Sequence, residues 1–171
     1  MPTKTPKTPH LVAASPRSQA AFHKLSPAEK RVAIAKDALL QLRSEALIAR
    51  CGTYVYPSGI KYPAPSQELS EQLPNLGQCY VCARGALFLS AVRKGNNFKT
   101  GSFIGEPTQV LKPLEKRYWS RPQIKKIEAA FEGFAGFKSK TCKFFDKYDN
   151  AHDRLVAILK NIIKNNGTFI P

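Results

Sequence analysis

The run Cys79-Tyr-Val-Cys-Ala-Arg-Gly-Ala-Leu-Phe-Leu-Ser-Ala-Val92 is apolar on nearly every face and is interrupted only by Arg84. Such a segment has no polar surface to offer water, so the rest of the chain must be arranged around it. It reads as a central buried helix opening at Cys79 and stopping at Arg93-Lys94-Gly95. There basic residues meet the negative end of the helix and glycine closes it. Arg84 must then emerge at a groove or meet a carboxylate, for which Glu29, Asp37 and Glu128 are the candidates.

Helices are available to surround this run. Ser26-Pro-Ala-Glu29 is a capping box with proline at the first helical position, and it opens a helix to about Leu47. Val32, Ile34, Ala35, Leu39, Leu40, Leu42 and Leu47 form its apolar stripe. Ser120-Arg-Pro-Gln123 repeats the capping logic for a helix to about Phe134. A final helix begins at Asp149 or Asn150, places Leu155, Val156, Ile158, Leu159, Ile162 and Ile163 on one broad apolar face, and ends at Gly167. Shorter helical pieces are expected after Ser66 and near 108–116, the latter broken at Pro113, and a short Cys142–Tyr148 segment precedes the final helix. The β-branched and aromatic arms around Pro57-Ser58-Gly59 predict a small hairpin near 52–62. The fold class is therefore mainly α with minor β: a compact helical domain, 26–171, of about four main helices and one hairpin. Residues 1–25, with Pro2, Pro6, Pro9 and Pro16 and no acid, read as a disordered basic tail.

Charge narrows the partners. The 27 Lys and Arg against 12 Asp and Glu give a net charge of +15, which favours polyanions. No stretch approaches the ~20 apolar residues that span a bilayer, and no secretory signal is apparent. A cytoplasmic protein with reduced thiols and no membrane partner is expected. The segment 112–126 holds six basic residues, one acid and the only tryptophan. Basic side chains interleaved with aromatics suit phosphate contact and base stacking. Lys112, Lys116, Arg117, Tyr118, Trp119, Arg121, Lys125 and Lys126, with Arg84, are the candidate nucleic-acid-binding residues.

Cys79 and Cys82 admit three readings. A redox pair needs a thiolate stabilised by a helix N-terminus at Cys79. A zinc site needs two more ligands, from Cys51, Cys142, His23 or His152, none of which forms a second knuckle. Close packing needs only small residues, which Ala83, Gly85, Ala86 and Ala91 supply beside the thiols. Packing is the favoured reading, with Cys79 and Cys82 as weak metal candidates and no cofactor expected. The cluster Asp146, Asp149, Asn150 and Asp153 lacks calcium-loop spacing and reads as helix capping. No hydrolase elbow, phosphate loop or metalloprotease helix occurs, so no catalytic residue is nominated.

Two stretches carry a resemblance. Cys79–Ser90 is similar to a C-x-VCA-x-GALF-x-S signature, and Arg154–Pro171 to an ending of the form NII-x-N-x-GTF-x-P. Together they resemble small uncharacterised proteins of bacteria and their phages, over about residues 30–171. The resemblance implies a shared compact fold and carries over no catalytic residue. The leading expectation is a non-enzymatic protein that binds RNA, DNA or a nucleoprotein assembly. The alternatives are a phage or mobile-element accessory protein that binds a host protein, and a thiol or zinc protein.

Overall fold

Ser26 accepts a hydrogen bond from the Glu29 N–H, while the Glu29 carboxylate accepts from both the Ser26 hydroxyl (2.7 Å) and its N–H (2.9 Å). Those bonds hold the Glu29 carboxyl below its ordinary pKa, the hydroxyl contributing most. The helix they open, α2, runs Pro27–Arg43. The computed structural model describes residues 9–58, 69–95, 98, 114–115, 117–133 and 140–171, without the side chains of Lys140 and Cys142. Expectations for Ser66, for Lys112 and Lys116, and for most of 108–116 lie outside those residues.

Among the described residues are seven α-helices and a three-stranded sheet, so the protein is mainly helical with minor β. We number them α1 Pro16–His23, α2, β1 Leu47–Ala49, β2 Val55–Pro57, α3 Leu69–Gln72, β3 Cys79–Val81, α4 Ala83–Gly95, α5 Arg121–Glu132, α6 Lys140–Asp146 and α7 Ala151–Lys164. A 3₁₀ turn, Leu73–Leu76, separates α3 from β3. The four longest helices, α2, α4, α5 and α7, correspond to the four expected main ones.

Order begins before Ser26. Ser15 caps α1 by accepting from the Ser18 N–H, and Pro16 occupies the first turn. Leu11 and Phe22 are fully buried, Ala14 N–H donates to the Arg93 carbonyl, and Arg93 also reaches the Val12 carbonyl. Residues 9–25 are thus folded against α4 where the sequence suggested a tail, because burial of two large apolar side chains, Leu11 and Phe22, offsets the entropic cost of ordering the segment.

The central apolar run divides in two. Cys79–Val81 is a strand, and Cys82 is the hinge whose carbonyl accepts from Ala86 N–H at the start of α4. Periodicity cannot separate a buried strand from a buried helix over three residues. β3 lies between its partners, parallel to β1 (Leu47↔Cys79) and antiparallel to β2 (Val55↔Val81). Leu47 therefore belongs to the sheet and not to the α2 stripe, and exposed Leu40 lies off that stripe. The expected hairpin arm Val55–Pro57 pairs with β3, and its return arm lies outside the described residues.

Layering follows. Leu47, Cys79 and Val81 face the core, while Ile48, Tyr80 and Tyr56 form a cross-strand row on the outer face. α2 packs against α4 and α7, and α5 packs against α4, α6 and α7. Gly167 ties this assembly together: its carbonyl accepts from Arg31 Nε (3.0 Å) and Trp119 Nε1 (3.0 Å). Its φ of +86° favours glycine, and a Cβ there would lie 2.8 Å from the Ala28 carbonyl oxygen.

Candidate nucleic-acid interface

The structure separates the residues that the sequence grouped. Trp119 is buried, its indole bonded to Gly167, and Tyr118 packs between Phe22 and Trp119 with ring centroids 6.2 Å away on each side. Both aromatics anchor a turn: Trp119 is enclosed and cannot stack on bases, while Tyr118 is half-buried. Arg117 is exposed and lies over the Phe98 ring at 4.6 Å. Arg121, Lys125 and Lys126 are exposed on α5, opposite its buried face of Ile124, Ile127 and Phe131. Arg84 does not open onto a groove: it is buried and bonds both Glu128 carboxylate oxygens at 3.1 Å.

α5 carries its charges in an order the helix dipole opposes. Arg121, Lys125 and Lys126 sit toward its positive N-terminal end, and Glu128 and Glu132 toward its negative end. Both acids are engaged, Glu128 by Arg84 and Glu132 by the Gly52 N–H (2.8 Å). Burial raises the Glu132 pKa, opposed by the Gly52 N–H. Ser120 makes no side-chain capping bond, contrary to the expected capping box, and the Gln123 side chain accepts instead from the Phe169 N–H (2.9 Å). The Lys and Arg end of α5 is left facing solvent without a carboxylate of its own first turn.

Sequence reading missed a second basic and aromatic region. A groove of about 560 Å³ runs between α6 and α7, with Phe144 and Tyr148 on one wall and Val156 and Ala157 on the other. The two rings lie 5.3 Å apart, and Lys147 Nζ stands 5.8 Å from the Tyr148 ring. Lys160 joins Lys147 at the rim, and Asp153 marks one end, its carboxylate accepting from the Asn150 amide. The spacing of Lys143 and Phe144 from Lys147 and Tyr148 is visible in the sequence, yet Lys147 and Tyr148 lie beyond the end of α6 at Asp146, and the groove exists only because α7 packs beside them. Phe169 links the groove to α5, its ring edge-on to Phe144 at 5.3 Å and its N–H on Gln123.

The thiols behave as packing groups. Cys79 lies in a strand, not at the helix N-terminus that a redox pair requires, and burial pushes it up to about 12. Cys82 is pushed up to about 11 by burial, although N–H groups of the first α4 turn and Arg84 oppose the shift. Among the described residues no three His, Cys, Asp or Glu side chains are placed to hold a metal ion.

Unfolded thiols would release their protons near 9.0, whereas the folded ones hold theirs to about 11 and about 12. Their contribution to stability is therefore complete below about pH 9 and lost as pH rises through 11 to 12. Maleimide labelling with peptide mapping at pH 8 is expected to modify exposed Cys51 while Cys79 and Cys82 stay unmodified until denaturant is added. Equal labelling rates at the three sites would contradict this assignment.

Searches find no matching family model, no similar curated protein and no similar solved structure.

Proposed function

We propose that this protein binds nucleic acid, RNA or DNA, through the positive surface of α5, α6 and α7. The carrying observation is how the acids are spent. Asp37 and Glu128 are committed to Arg93 and Arg84 in the interior, each pair removing one charge of each sign. These pairs leave the net charge of +15 unchanged, and among the described residues Arg121, Lys125, Lys126, Lys143, Lys147 and Lys160 are exposed. Each lysine or arginine that neutralises a phosphate releases a condensed counterion, so binding is tight at low salt and weak at high salt. Contacts of this kind fix position without reading bases, which implies weak sequence preference.

Titration of labelled RNA and DNA oligonucleotides at several salt concentrations tests the proposal. The logarithm of the affinity is expected to fall linearly with that of salt, with a slope of roughly −3 to −5 for four to six phosphate contacts. Arg121→Gln/Lys125→Gln/Lys126→Gln should reduce that slope by about 2. Absence of binding at low salt, or binding without a salt slope, would sink the idea.

One observation favours a second reading, an accessory protein of a phage or mobile element that binds a host protein. Tyr56 is 55% exposed on the outer face of the sheet, with the Tyr80 ring 6.5 Å away and Arg50 over Tyr80 at 5.6 Å. Exposed tyrosines beside arginine are common interface anchors. A pull-down from nuclease-treated lysate separates the readings: a partner retained by the native chain and lost on Tyr56→Ser supports protein recognition.

A further inference from the structure

The groove between α6 and α7 combines three properties that duplex phosphate contact does not require. It is concave, with a volume inside the range of about 300–1,000 Å³ typical of small-ligand sites. One wall is aromatic: the half-buried rings of Phe144 and Tyr148 both line the groove and meet at an interplanar angle of 47°. Its rim carries Lys147 and Lys160, while Asn161, below them, is consumed by hydrogen bonds to Ile170 and Asn165. Two cations at the edge of an apolar, ring-lined trough match a ligand whose anionic groups lie outside and whose flat apolar groups point inward. An unpaired nucleotide strand has that form, because its bases are free to leave the stack. In a duplex the bases are stacked and paired, so only phosphates would meet this wall.

We infer that the α6–α7 groove takes single-stranded nucleic acid, with one or two unpaired bases against Phe144 and Tyr148 and the flanking phosphates on Lys147 and Lys160. The inference rests on the nucleic-acid reading above and narrows it to a strand type and a place. Asp153 gives the groove a direction, since its carboxylate repels phosphate at that end and leaves the Lys147–Lys160 rim as the backbone path.

The test compares oligo-dT and oligo-rU 15-mers with a 15-base-pair duplex on the full chain. Single strands are expected to bind at least about tenfold more tightly than the duplex, and Tyr148→Leu should remove most of that preference. Lys147→Gln/Lys160→Gln, which alters exposed side chains only, should reduce the single-strand salt slope by about 1.4. Because Phe144 and Tyr148 also pack within the protein, photocrosslinking of 5-iodouracil oligonucleotides to the unmodified chain provides an independent readout. Adducts on Phe144 or Tyr148 support the inference. Adducts confined to Tyr56, Tyr80 or α5, or equal affinity for duplex and single strand, overturn it while leaving the broader reading intact. No binding to either nucleic acid at low salt overturns both.

Discussion

Gly85→Ala is expected to abolish the folded state or lower its melting temperature by more than about 10 °C. A Cβ at position 85 would lie 1.7 Å from the Tyr54 carbonyl oxygen and 2.8 Å from its carbonyl carbon. Both atoms are backbone, so no rotamer change relieves the clash, and either α4 or the strand-connecting segment at Tyr54 must move. Movement at Tyr54 would be felt in the β2–β3 pairing, since Val55 begins β2 and the Thr53 carbonyl accepts from Cys82 N–H at 2.6 Å. We expect a loss beyond about 4 kcal/mol, the range reserved for backbone conflicts in a core. Gly52→Ala is the control: no atom lies within 4 Å of its added methyl, and only the left-handed φ of +69° is opposed, at about 1 kcal/mol. Thermal unfolding followed by circular dichroism compares the two. Equal melting temperatures would show that helix and backbone are not in contact at Gly85.

The second large effect concerns the amino-terminal segment. Phe22→Ala is expected to cost about 3–5 kcal/mol, because the ring is buried against Tyr118 and His23 and its removal leaves a cavity. A chain beginning at Ser26 should lose more. It lacks both Leu11 and Phe22, uncovers the part of α4 that α1 packs against, and deprives Arg93 of the Val12 carbonyl, leaving Asp37 as its partner. Urea unfolding at pH 7 should show a lower midpoint for both variants and, for the shortened chain, a smaller m value from the reduced buried surface. If residues 9–25 were an appendage, the shortened chain would unfold at the same urea concentration as the whole.

Both predictions fall where local sequence signals and tertiary context meet. The helices with caps were legible: Ser26-Pro27-Glu29 and Asn150 with Asp153 begin α2 and α7 at the expected residues, because capping is a matter of three or four adjacent side chains. Ser15-Pro16 carries the same start signal as Ser26-Pro27, yet proline content nearby obscured it. The sheet was not legible, since what makes Cys79–Val81 a strand is the pair of neighbours it finds far earlier along the chain, Leu47 opposite Cys79 and Val55 opposite Val81, separations of 32 and 26 residues. The interior ion pair Arg84–Glu128 was among three options named from the need for a counter-charge, and distance in space selected one. The interface suffered most. Basic residues interleaved with Tyr118 and Trp119 looked like a binding surface, but the indole was needed to hold Gly167, and the second basic and aromatic region, Phe144 with Tyr148, is completed by side chains of α7 further along the chain.

The order of the strands has a consequence in time. The chain lays down β1 at one edge, crosses to lay down β2 at the other, and leaves a gap one strand wide, with the edges roughly 10 Å apart. Across that distance β1 and β2 cannot bond each other, so joining them in one sheet requires Cys79–Val81 between them. Closing two long loops at one step concentrates the entropic barrier there. In reverse, withdrawal of β3 releases both edges and the Cys82 carbonyl that starts α4 in a single event, so the middle of this protein has no shallow way to open.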